Sequence, residues 1–485
     1  MQFLSRLPRW LKVVGMLSLI VVVVLGYIGW DRFLRAYPAQ DFDDPDERFK
    51  YGSIGAEQDA GIPYWIFYVL PRVFPDKLPG PGGYAAFGVT WEQGRELPIG
   101  FTKRRIGFDR VANNCAVCHT ASYRTEHYSN PVLVPTGPNH TLDLEAFFRF
   151  LVDCAKDPRF NADTMMPEIN LAADLDWIDR LAYRYLIIPI TRKRLIEREA
   201  QFQWIYRHDF PAWGRGRDDA MNLTKYFMIR WPMDDSFGPT DMPSVWNLQK
   251  YSEERGNRMN FAGDSHNAYS VIIDSALGLM GAEPKDREDF LAHIDWLHHY
   301  LTTKPAPTYP FAIDQAKAGQ GKQVFAAHCA GCHASERTGT VVPLAEIGTD
   351  RERMDTWNAK AAAEANQVVD DMGIERKGLV EEPLTGYVAQ YLDGIWLRAP
   401  YLHNGSVPTL YDLLLPPAQR PERFHRGYDV YDPVKVGYLT SGSEAVHAGT
   451  LHDTSARANS AQGHDFASQL SDDQRWSLVE YLKTL

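Results

Sequence analysis

The hydrophobic pattern opens with an unbroken uncharged run, Val13 to Trp30, closed by Asp31 and Arg32. At 1.5 Å per helical residue it spans roughly 27 Å, close to the ~30 Å hydrocarbon core of a bilayer. Arg6, Arg9 and Lys12 precede it, with no acidic residue among positions 1–12. A basic flank of this kind stays cytoplasmic, which places everything after residue 31 on the far side of the membrane. A cleaved signal peptide shares the tripartite layout, but its apolar stretch ends at a small-x-small site. This run ends Tyr27-Ile28-Gly29-Trp30. The pattern therefore predicts a transmembrane anchor over 13–30 behind a cytoplasmic flank over 1–12, with a cleaved signal as the alternative.

Residues 38–100 are dense in Gly, Pro and aromatics (GIPYWIFYVLPRVFP, LPGPGGYAAFG), which predicts irregular packed structure with few long helices. Helical spacing returns over 141–206, where Leu144, Phe147, Phe148 and Leu151 share one face. A helix is predicted over about 284–303, because Phe290, Ile294, Leu297 and Leu301 recur at i, i+4, i+7 and i+11. Thr302–Tyr309 (TTKPAPTY) then breaks the pattern with two prolines and marks a boundary between domains over 31–303 and 304–485. A last helix follows Ser471, which forms a capping box with Gln474, and carries the apolar stripe Trp476, Val479, Leu482 and Leu485.

A length of 485 residues is too great for one compact core. Lys and Arg total 51 against 62 Asp and Glu, a formal net charge of −11, which argues against a nucleic-acid partner.

Four of the five cysteines fall into two copies of one motif, Cys115-Ala-Val-Cys118-His119 and Cys329-Ala-Gly-Cys332-His333. C-x-x-C-H is the pattern of covalent c-type haem attachment: two thiols add to one haem edge and the adjacent His ligates the iron. A zinc site would need further Cys or His ligands at suitable spacing, and Cys154 is the only other cysteine. Two such motifs in an exported chain predict two covalently bound c-type haems, one per domain, with His119 and His333 as axial ligands. Gly321, Phe325 and Cys329 are spaced four apart, so Phe325 should pack on the second haem edge. Cys154 lies in a predicted amphipathic helix and reads as a buried inert thiol.

No methionine occurs after Met372, so a C-terminal sixth ligand to the second haem is best sought among His403, His425, His447, His452 and His464. His464 stands in Gly463-His464-Asp465-Phe466, just before the capped helix that would give it a fixed base. Gly463 removes a side chain where backbone would approach the macrocycle, and Asp465 is either a partner of the ligand or a solvent-facing residue. His425, His447 and His452 lie in polar stretches, and His403 in PYLHNGS is the serious competitor. For the first haem no sixth ligand is singled out.

With these motifs placed, the chain resembles di-haem c-type cytochromes related to bacterial cytochrome c peroxidases, most nearly the branch that includes the latex-cleaving rubber oxygenases. The resemblance rests on 49–75 (FKYGSIGAEQDAGIPYWIFYVLPRVFP), 114–120 (NCAVCHT), 214–222 (GRGRDDAMN), 240–247 (TDMPSVWN), 394–416 (GIWLRAPYLHNGSVPTLYDLLLP), 431–437 (YDPVKVG) and 463–485 (GHDFASQLSDDQRWSLVEYLKTL). It implies a mainly α-helical pair of cytochrome c-like domains with much irregular structure and two haems in electronic contact. It further implies a reactive N-terminal haem and a C-terminal haem with two histidine ligands. Trp246 and Phe261 match an aromatic pair near the reactive haem's distal pocket, although NRMNFAGDSHN around Phe261 departs from the pattern of that branch.

The resulting expectation is a haem-dependent oxidoreductase on the periplasmic side of a bacterial inner membrane, or a soluble periplasmic form after signal cleavage. Peroxide or dioxygen would be activated at the N-terminal haem, and the C-terminal haem would relay electrons from a donor redox protein. A non-catalytic electron-transfer cytochrome is the alternative, and an open coordination position on either iron discriminates between the two.

Overall fold

The computed structural model describes residues 8–282, 284, 286–374 and 378–485; Arg6 of the basic flank lies outside these. The apolar run forms one helix, Arg9–Phe33, with none of its residues buried. It is the one helix among the described residues long and apolar enough to cross a membrane. Its exit is fastened to the body. Arg32 pairs with Asp176 at 2.6 Å and Asp179 at 2.5 Å, and the Gly107 and Tyr37 amides donate to Arg35 and Arg105 carbonyls.

Helices and irregular segments dominate; the largest sheet has three strands, with Phe108–Asn113 between Ile62–Pro63 and Phe101–Ile106. The helix expected within 141–206 runs Leu144–Lys156, N-capped by Asp143. Leu144 and Phe147 are buried, while Phe148 and Leu151 pack partly buried against the same core. The 284–303 expectation becomes Arg287–Thr303, because Asp286 caps it and accepts from the Asp289 amide. Its Phe290, Ile294, Leu297 and Leu301 are all buried, joined by Tyr300. The last helix is Asp472–Leu482 with both halves of the capping box formed. Leu485 lies beyond it, and its carbonyl accepts the Gly394 amide.

The prolines at 305 and 307 do end the helical pattern, but the halves on either side interleave. Ala361 and Ala365 of helix Ala359–Asp371 pack with Trp357 against Met221, Met228 and Trp231. In return Ala121, Tyr123 and Trp246 join the aromatic core of the C-terminal half with Phe325, Trp396 and Tyr431. The two halves on either side of the break therefore pack against one another.

Candidate haem sites

The second motif sits where two helices meet. Gln315–His328 delivers Cys329, and a short helical turn, Ala330–His333, presents Cys332 and His333. Gly321 is the contact point with the terminal helix: a Cβ there would overlap the Ser477 carbonyl oxygen. Gly321 thus serves the helix crossing rather than the haem face. One turn later Phe325 is buried, lies 5.2 Å from the Tyr481 ring, and lines a cavity of about 340 Å³. Cys329, Cys332, His333, His403 and His464 line the same cavity.

The His333 Nδ1 lies 2.8 Å from the Gln390 carbonyl. A ring that donates from Nδ1 keeps its Nε2 lone pair for a metal. Across the cavity stands His464, with ring centroids 6.2 Å apart. Two metal–nitrogen bonds of about 2 Å and the half-widths of two imidazoles account for such a separation. His464 is held from behind: its amide donates to Ile347 at 2.7 Å, and the Arg420 guanidinium donates to the Gly463 and His464 carbonyls. A Cβ on Gly463 would overlap the Gly348 backbone, so the close approach expected of this glycine is to another loop, not to a macrocycle. Asp465 is exposed. His403 lies flat on Tyr387 instead, with centroids 4.1 Å apart and planes 13° from parallel. Its buried Nε2 has no hydrogen-bond partner. His452, read as lying in a polar stretch, is buried against Phe424 because the strands Arg423–Arg426 and Thr450–Asp453 pair there.

The first motif repeats the orientation of its histidine: the His119 Nδ1 lies 2.8 Å from the Pro243 carbonyl. Desolvation pulls both imidazoles toward the neutral form, His119 to about 4 and His333 in the same direction. Burial also pushes Cys115 and Cys329 up to about 11, against the low thiol pKa that a reactive dithiol needs. Among the described residues no group of three or more His, Cys, Asp or Glu is gathered for a metal, so a zinc site has no ligand set. Cys118 borders an apolar cavity of about 130 Å³ with Val117, Phe101, Phe147 and Leu223. That space is below the ~300 Å³ of ordinary ligand clefts, so the first motif offers the donors for haem attachment but a tighter cavity. Cys154 is fully buried and its thiol pKa is raised by burial.

Trp246 and Phe261 occupy different surroundings. Phe261 lines the cavity of the second, 6.5 Å from the His403 ring. The Trp246 indole donates to the Asp393 carbonyl at 2.9 Å and packs in the C-terminal core. Trp246 also clusters with Ala121 and Tyr123, which follow His119, and Pro243, three residues before it, accepts from the His119 ring. Nothing in the sequence marks the Pro243 and Gln390 carbonyls, because backbone acceptors leave no signature in residue type.

Two family models match this half of the chain: a cytochrome c model over residues 318–387 and a RoxA-like, cytochrome c-like model over 386–425. The chain is 34% identical over 292 residues to the protein y4iM of Sinorhizobium fredii, covering 50% of this chain and 64% of that protein. It is 42% identical over 123 residues to y4iJ of the same organism, covering 24% of this chain and 20% of that one. The chain thus matches less than two thirds of the length of either relative. The second motif belongs to a cytochrome c domain, with covalently bound c-type haem, iron and haem-based electron transfer.

Proposed function

We propose that this chain is an exported di-haem c-type cytochrome oxidoreductase in which the two sites divide the work. In this reading the N-terminal haem supplies peroxide or dioxygen activation, and the C-terminal haem supplies one-electron relay. The observation that carries it is an asymmetry. His464 stands opposite His333 with centroids 6.2 Å apart, whereas no ring pairs with His119 among the described residues. None of the remaining residues is a histidine. A haem ligated on both faces suits electron transfer, and one with an open face can bind a small oxidant.

The chain's own groups have definite tasks in this reading. Cys115 and Cys118 hold one macrocycle, Cys329 and Cys332 the other. Pro243 and Gln390 fix the tautomers of His119 and His333 by accepting from Nδ1. Phe325, Leu478 and Leu482 keep water from the relay site. The RoxA-like match supports an oxygenase-type activity. A small oxidant and an electron-donor redox protein are the proposed partners, and the helix Arg9–Phe33 supports the proposed export, as anchor or signal.

Intact mass and a pyridine haemochrome assay should show two haems per chain, and Cys115→Ala with Cys118→Ala should remove one. Carbon monoxide added to the reduced protein should perturb one haem band and leave the other unchanged. If neither haem responds, both irons are closed and the protein is an electron carrier without an oxidant site.

A further inference from the structure

A surface helix normally turns a polar face outward. The stretch Trp177–Phe202 turns a row of apolar side chains outward as well. It runs as Trp177–Ala182, a π turn over Tyr183–Ile187, and Ile188–Phe202. Ala182, Tyr183, Ile187, Ile188 and Thr191 face inward and are buried. Outward stand Trp177 at 71% exposure, Tyr185 at 65%, and Leu181, Leu186 and Ile190 at about half. The extra residue of a π turn rotates the residues before it relative to those after it. That rotation brings Trp177 and Leu181 onto the outward side shared by Leu186 and Ile190. Arg180 and Arg184 stand within Trp177–Ile190 and pair with Asp174 and Asp163, and Arg192, Lys193 and Arg194 follow it.

The neighbouring structure says what covers this face. The segment begins at Asp176 and Asp179, the two carboxylates that clasp Arg32 at the exit of the apolar helix Arg9–Phe33. A bilayer that holds that helix has its headgroup layer beside this stretch. Exposed Trp and Tyr are the side chains that favour the headgroup level, and a basic helix with an apolar outer face lies in the interface plane of anionic lipid.

We propose that Trp177–Ile190 is a membrane-docking surface, which sinks its apolar outer face into the anionic phospholipid bilayer that holds the N-terminal helix. This rests on the anchored reading of Arg9–Phe33. Docking gives the body a second contact with the membrane, which fixes a tilt that the helix alone, though fastened to the body, leaves free.

The test uses the full haem-loaded chain in nanodiscs of mixed phosphatidylcholine and phosphatidylglycerol. The photo-crosslinker p-benzoylphenylalanine replaces Leu181, or Tyr185 as a second position. Val434, exposed on the C-terminal half, serves as control, and Val22 reports on the anchor itself. Lipid adducts read by mass spectrometry should form at Leu181 and Tyr185 several-fold above Val434. They should fall when phosphatidylglycerol is replaced by phosphatidylcholine. Adducts at Val22 with none above control at Leu181 and Tyr185 overturn the docking surface while leaving the anchor standing. A crosslink to a second copy of the chain overturns it in favour of self-association. No adduct at Val22 removes the anchored reading on which the proposal rests.

Discussion

His464 has a left-handed backbone, φ 47°, beside Gly463 at φ 79°. Its amide bond to Ile347 and the Arg420 contacts to its carbonyl hold the imidazole toward His333 without help from the ring itself. His464→Ala should therefore keep the fold and both covalent attachments while turning a low-spin haem signal high-spin by EPR. An unchanged low-spin spectrum in that variant, with a changed one in His403→Ala, would transfer the role to His403. Asp274 offers a second test at this scale. Burial raises its pKa to about 7, opposed by a hydrogen bond from Ser270 and assisted by the charge of Asp264. The unfolded value is near 3.8, so between about pH 4 and 7 the folded chain keeps a proton that the unfolded chain has lost. Stability then falls as pH rises through that window, by up to ~1.4 kcal/mol per unit, and levels off above it. Asp274→Asn should flatten this slope in urea unfolding measured at pH 5 and pH 8. Equal slopes in both proteins would show that the carboxyl is ionised when folded.

Among the elements, the crossing of Gln315–His328 with Asp472–Leu482 sets the cavity of the second motif, because one helix delivers Cys329 and the other closes the cavity with Leu478 and Leu482. Gly321→Ala should cost about 1–3 kcal/mol by overpacking, seen as a lower urea midpoint. The added Cβ meets a backbone oxygen, which has no rotamer to yield. An unchanged midpoint would mean that the helices part freely. The capping box and much of this helix were legible from Ser471 and Gln474, since capping is settled within one turn. The buried face was only half legible. Leu478 is fully buried and was not in the expected stripe, while Trp476 is partly buried and stacks on Tyr411 at 4.2 Å. Periodicity marks one stripe, and a helix contacted from two sides has more than one.

For the whole molecule, the interleaved halves are pinned by charges as well as by apolar cores. Arg426 of the C-terminal half bonds Asp241 of the N-terminal half, and both are buried. The Asp241 amide also donates to the His403 carbonyl at 2.9 Å, so the same residue touches the wall of the second motif's cavity. Asp241→Asn leaves the Arg426 charge buried without its counter-ion and should cost about 3–5 kcal/mol. Calorimetry should show a lowered midpoint for the whole chain. A variant that melts like the parent would show the pair to be hydrated and the halves independent.

The sequence by itself determined what is settled within a few residues. These are two C-x-x-C-H motifs, an apolar run of membrane length, helices marked by recurring apolar positions, and a capping box. Covalent spacing and helical geometry act over one or two turns, so residue type suffices to read them. Tertiary structure alone decided which histidine faces His333, which carbonyls accept from His119 and His333, and that Phe261 lines the cavity of the second motif. It also joined the halves across the break that prolines mark at 305 and 307. Each of these depends on segments far apart in the chain meeting through packing. There the partner is chosen by shape and burial, and often by a backbone carbonyl that every residue carries alike.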